Sequence, residues 1–216
     1  SNWNDNFSAE ELETLHGRYD AFSILTSASW RFSFSLEESN EALWRNLLNL
    51  GLRTFVYAED DYTPVIAGYA MGNTAIMVSV PELAQTWETI KSAIKQGRFL
   101  AYWNAKENLP DELPTLEITC EGDPPVITAE SSDYASSIQF IGKLYNNFDV
   151  LAAGNGFSTS YPCKGTEEFV YVKAKYSNYF CVSQPIRIYP QGYYNPYRAA
   201  GAGMLTEESQ LQLRFL

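Results

Sequence analysis

The chain has 216 residues and a formal net charge of −11, from 26 acidic against 15 basic side chains. With Arg18, Arg31, Arg45, Arg53, Lys91 and Arg98 scattered along it, that balance excludes a clustered cationic surface for nucleic-acid phosphates and disfavours anionic membranes. Apolar residues make up 45% and charged ones only 19%, with fifteen tyrosines, twelve phenylalanines and five tryptophans, a composition suited to β-rich architecture with large contact surfaces.

The first nineteen residues read as an arm and a short helix. Ser8-Ala-Glu-Glu11 is a capping box whose helix should stop at Gly17, and Trp3 and Phe7 lie before it. Asn6-Phe7-Ser8 also fits the glycosylation pattern, and the chain, starting at Ser1 without a leader pattern, reads as a processed form. Residues 22–35 read as strand, because Trp30, Phe32 and Phe34 alternate with polar residues. A helix from Ser39 to Leu50 carries the stripe Leu43, Trp44, Leu47 and Leu48 and ends at Gly51. Strands are predicted at Arg53–Ala58, Val65–Met71 and Thr74–Val80, the last two joined by a Gly72-Asn73 hairpin turn. Pro81 suits the first turn of a helix running to Gln96, with Leu83, Trp87, Ile90 and Ile94 on its buried face. Phe99–Trp103 closes a β-α-β-β-β-α-β layer, assigned to residues 20–111 as an α+β domain with helices over one sheet face.

From Glu107 to Asp133 there are eight acids, no base, and four prolines, which marks the domain junction. Beyond it every segment reads as strand: Leu116–Cys120, Val126–Ala129, Ile138–Tyr145, Phe148–Ala153, Phe157–Tyr161, Phe169–Tyr176, Tyr179–Val182 and Ile186–Tyr189. Turn signals at Asn146-Asn147, Gly154-Asn155-Gly156 and Ser177-Asn178 separate them, the rhythm of an all-β sandwich over residues 112–190. Tyr171-Val-Lys-Ala-Lys followed by Gln184-Pro-Ile-Arg-Ile resembles the last two strands of immunoglobulin-like or fibronectin type III-like domains. The likeness is one of fold alone, since paired cysteines around a tryptophan are missing. Residues 191–216 form a second arm, rich in tyrosine, proline and glycine, whose end alternates Leu211, Leu213 and Phe215 with polar residues, the pattern of one added strand.

Motifs for chemistry are sparse. His16 is the sole histidine, which excludes two-histidine metal sites, and its place near a helix end suits the helix dipole. Ser92-Ala-Ile-Lys95 matches the Ser-x-x-Lys element of serine β-lactamases and penicillin-binding proteins, but Ser132-Asp133-Tyr134 and Lys164-Gly165-Thr166 do not supply the companion motifs. Glu59-Asp60-Asp61 and the 107–133 acids lack calcium-loop spacing and read as solvated loops. Gly154-x-Gly156 and Gly201-x-Gly203 lack the third glycine of a dinucleotide loop. Cys120, Cys163 and Cys181 show no zinc spacing; a Cys163–Cys181 bridge is open, with buried free thiols as the preferred state.

The sequence therefore reads as a non-enzymatic structural protein without metal or cofactor. It is expected as an outer component of a viral capsid, phage or surface particle, located on a virion or extracellular surface. Its partners would be other proteins or copies of itself, held through the terminal arms by Tyr193, Tyr194, Tyr197, Leu211, Leu213, Phe215, Trp3 and Phe7. No nucleic-acid contact and no membrane span are expected, because no stretch approaches the roughly 18 apolar residues a span needs. The alternative is an extracellular carbohydrate-binding or adhesion module that stacks exposed aromatics on sugars; a carboxylate hydrolase near Glu59–Asp61 ranks third.

Overall fold

The computed structural model describes residues 11, 14, 21–26, 36–52, 54–59, 72–81, 85–104, 108–144, 147–189, 192–194 and 208–213. The protein is mostly β, organised around a curled antiparallel sheet. Two strands, β1 (Ala21–Thr26) and β2 (Phe55–Glu59), pair in parallel as a separate ribbon. The other ten strands share one sheet. β3 (Thr74–Pro81) pairs with β4 (Phe99–Asn104), and β4 pairs with β9 (Tyr179–Ser183). β8 (Glu167–Lys175) carries β9 and β10 (Ile186–Tyr189) on successive parts of its length, and β10 pairs with β11 (Gly192–Tyr194). Strands from both sides of the acidic 107–133 stretch thus lie in one hydrogen-bonded sheet.

The longest strand, β6 (Val126–Leu144), takes three partners. Its first part pairs with β5 (Leu116–Glu121), its second part with β8, and β7 (Asn147–Pro162) runs beside both. The sequence suggests four short strands here; the structure has two long ones. Gly154-Asn155-Gly156 folds β7 back on itself without ending its pairing with β6: a Cβ on Gly154 would lie 2.5 Å from the Thr159 hydroxyl, and Gly156 has φ +101°. Ala135 pairs with Gly156 and Ile138 with Gly154, and the register shifts around Ala135 are bulges that absorb extra residues of β6. Ser177-Asn178 does make its turn, closed by Tyr176 N–H donating to the Tyr179 carbonyl at 2.9 Å.

The sheet buries both faces. The inner face gathers Met77, Leu100, Tyr102, Leu116, Ile118, Ile127, Ile138, Phe140, Val170, Val172 and Cys181 into the main core, with Tyr102 donating to the Pro114 carbonyl at 2.7 Å. On the outer face, Trp44 and Leu48 of helix α1 (Leu36–Asn49) meet Trp103, Phe169, Tyr171 and Val182. Ile90 and Ala93 of helix α2 (Trp87–Lys95) meet Phe55, Ile76, Val78 and Phe99. Both helices end on a glycine at positive φ, Gly51 at 79° and Gly97 at 75°. In each, paired bonds return the chain to the last turn: Leu52 N–H to Leu47 and Gly51 N–H to Leu48, then Arg98 N–H to Ala93 and Gly97 N–H to Ile94.

Three local expectations need correction. Pro81 ends β3 rather than opening a helix; α2 begins six residues later, capped by the Thr86 hydroxyl, which accepts from Thr89 N–H. Trp87 then falls at the first helical position, 63% exposed, instead of in the core. The Gly72-Asn73 hairpin also fails, because β3 is paired on one side with β4 and on the other with β12 (Glu208–Leu213). The Gly72 and Asn73 carbonyls instead accept from Leu109 and Asn104 N–H. The predicted strand at 65–71, most of the first arm, and Asp60 and Asp61 lie outside the described residues. No described helix is long and apolar enough to cross a membrane.

Candidate assembly interface

The sheet ends in two different ways. At one end β12 lies antiparallel on β3, with Leu211 opposite Val78 and Leu213 opposite Ile76. The strand anticipated in the C-terminal arm exists, and it adds to the edge of its own subunit's sheet. Tyr193 and Tyr194 lie in β11, opposite Ile188 and Arg187 of β10. The register therefore separates the two parts of the arm, with β11 and β12 at opposite ends of the strand order. Tyr197, Phe215, Trp3 and Phe7 lie outside the described residues.

On the branch that leaves this order at β8 through β6, β7 pairs only with β6 among the described residues. On either side of the bend at 154–159, β7 presents backbone N–H and carbonyl groups without a second ladder partner among the described residues, a template for another strand. Natural edges are usually blunted by lysine, proline or charge. Between Val150 and Tyr161 this one has none, its sequence being Val-Leu-Ala-Ala-Gly-Asn-Gly-Phe-Ser-Thr-Ser-Tyr. Large apolar groups stand exposed along it: Val150 at 53%, Phe157 at 58%, and Tyr134 of β6 at 58%. The Phe157 and Tyr134 rings meet edge to face, with centroids 6.0 Å apart. Sequence reasoning placed the sticky surface in the arms and missed this strand, because a sharp bend at Gly-Asn-Gly looks like the end of a strand when the pairing in fact continues through it. The available signal was a run of twelve residues without a charge.

A buried ionic network braces the same part of the sheet from outside. Glu41 of α1 accepts from Arg45 at 2.6 Å and from Lys173 of β8 at 3.2 Å, and the Tyr171 hydroxyl also donates to it. Burial opposes its charge, but Lys173 and Arg45 outweigh that and hold its carboxyl below the usual range. A second buried carboxylate, Glu167, caps the bend after β7. It accepts from the Tyr161 hydroxyl, from Lys164 N–H at 2.9 Å and from Thr166 N–H at 3.1 Å. Burial again opposes the charge, and these bonds again lower the pKa. Both groups are spent on structure, being fully engaged with neighbours from two elements.

The nucleophile candidates sit in unreactive places. All three cysteines are free and buried. Burial pushes the Cys120 thiol up to about 11 and the Cys163 and Cys181 thiols up to about 12, keeping them protonated and poorly nucleophilic. Ser92 lies within α2 and its hydroxyl accepts from the Gln96 amide at 2.8 Å. The acids at 111, 112, 117, 121, 123, 130 and 133 are exposed, and no group of three potential metal ligands occurs among the described residues. No protein-family model, curated protein or solved structure matches the chain.

Proposed function

We propose that this is a non-enzymatic structural protein that works through protein–protein contacts, as an outer component of a virion, phage or other surface particle. The observation that supports this reading is the edge of β7, uncharged from Val150 to Tyr161 and without a second ladder partner among the described residues, flanked by exposed Val150, Phe157 and Tyr134. An edge of that kind is a liability for an isolated protein and an asset for one that spends its life in contact with others. The net charge of −11 suits a position away from packaged nucleic acid. With it go two fold-level proposals: the N-terminal helices form a layer over the sheet, and residues 112–190 keep the immunoglobulin-like or fibronectin type III-like likeness of their last strands. Sedimentation velocity over a wide concentration range tests the function. Concentration-dependent oligomers are expected, and a monomer at every concentration overturns the reading.

The Tyr134–Phe157 pair favours a second reading, an extracellular carbohydrate-binding or adhesion module, because exposed rings also stack on sugar faces. A glycan array separates the two. Selective sugar binding by a monomer, lost in Phe157→Ala, is the result that would replace assembly with adhesion.

A further inference from the structure

We infer that Asn155-Gly156 is a site of spontaneous deamidation, at which the chain adds a carboxylate to its own candidate contact surface. The reaction is independent of the assembly reading; its effect on contact rests on that reading. Asparagine is a thermolabile side chain because the backbone nitrogen of the next residue can attack its carbonyl carbon. Here a bond would form between Gly156 N and Asn155 Cγ, closing a succinimide. The Asn155 Cγ–Nδ2 bond breaks, and ammonia leaves with the proton lost by Gly156 N. Water then adds to one of the two ring carbonyls and opens the ring to aspartate or isoaspartate. The step needs an amide that is free to turn, an uncrowded nitrogen and a backbone able to leave its conformation.

These conditions meet at 155. Asn155 is exposed, and no hydrogen bond among the described residues holds its side chain. This is the one Asn-Gly step in the chain. A Cβ on Gly156 would meet nothing within 4 Å, so the approach to its nitrogen is open. The ladder is weakest here too. Asn155 and Phe157 take part in no pair, and Ala135 with Gly156, the single pair between Gly154 and Ser158, has a register shift on each side. Other exposed asparagines lack the combination. Asn108 precedes Leu109, whose N–H is committed to the Gly72 carbonyl at 2.8 Å. Asn178 accepts from the Ser177 hydroxyl at 3.3 Å and precedes a bulky tyrosine.

The product places a negative charge inside the uncharged stretch from Val150 to Tyr161, beside exposed Phe157 and the Tyr134 ring it meets. Interface centres are depleted of charge, and each copy already carries −11, so conversion should oppose contact.

The test incubates the full chain in warm, mildly alkaline buffer and maps its peptides by mass spectrometry, with fragment spectra separating position 155 from Asn146 and Asn147. Most of the Asn155 amide should be lost, as an aspartate–isoaspartate mixture, while Asn108 and Asn178 stay intact. An Asn155 that survives the incubation, or converts no faster than those two, overturns the site. Sedimentation velocity then compares Asn155→Asp with Asn155→Gln, which keeps a neutral amide; circular dichroism checks that both are folded. The aspartate variant should associate about tenfold more weakly. Equal association of the two variants overturns the effect on contact and leaves both the modification and the assembly reading standing. A wild-type chain that stays monomeric overturns the assembly reading and the effect on contact, and the peptide map alone then decides the modification.

Discussion

A few side chains in this protein substitute for backbone. Gln184, fully buried, receives Val56 N–H on its side-chain oxygen at 2.7 Å and donates its amide to the Val56 carbonyl at 2.6 Å. It thereby gives β2 the pair of bonds a neighbouring strand would supply and fastens the β1–β2 ribbon to the large sheet. Its place between β9 and β10 lets it do so, because residues 184–185 leave the ladder as the strand changes partner from β4 to β11. Close approach matters as much at Gly97. A Cβ there would lie 2.2 Å from the Phe55 ring, and the backbone sits at φ +75°, where side chains are strained. Gly97→Ala should therefore cost about 2–3 kcal/mol. The loss should appear as a lower urea midpoint with an unchanged m-value; an unaltered midpoint would show that Phe55 moves aside freely.

Among the elements, those with a complete local signal were legible in the sequence. Helix α1 announced itself by the Trp44, Leu47, Leu48 stripe and its Gly51 stop, and the β8–β9 turn by Ser177-Asn178. The length of β6 and β7 was not legible, since a bend that a ladder follows and a turn that ends a strand carry the same glycines until the partner is known. The pairing of Ala135 with Gly156 shows that the ladder continues through the bend. Pro81 misled for a related reason: a residue lacking N–H fits the last position of a strand as well as the first turn of a helix. The role of β12 is open to direct test. Gln210→Pro removes one backbone donor from the middle of the strand opposite Ser79 and disfavours ladder geometry. Hydrogen exchange at the β3 amides facing β12 should then quicken by at least about tenfold, and unchanged protection would mean that β12 adds nothing to that edge.

At the scale of the whole molecule, the sheet is built from pairings distant in sequence. β4 meets β9 although residues 104 and 179 are its nearest paired positions in the chain, and no local pattern reports such a partner. The candidate surface was hidden by the same fact, because which strand is left at an edge is a property of the complete strand order. Charge couples the molecule to pH at both extremes. Glu41 and Glu167 have folded pKa values below their ordinary 4.5, so their contribution is present above about pH 4.5 and shrinks as pH falls below it. The buried thiols act in the opposite sense. Raised from 9.0 to about 11 or 12, they favour the fold below pH 9 and lose that contribution as pH rises towards those values. Urea midpoints measured across pH should thus fall away at both ends. Glu41→Gln should flatten the acid limb, and a limb unchanged by it would remove Glu41 from the account.

The β3–β12 pairing sets an order of events. Between Pro81 and Glu208, its first paired position, 127 steps of chain must be synthesised. Once β4 is complete at Asn104, β3 has its inner neighbour within reach while β12 is still to come. A ribosome-bound chain therefore carries an open strand long after most of its core residues have emerged. Whatever prevents nascent chains from pairing there acts before this protein can close its own sheet.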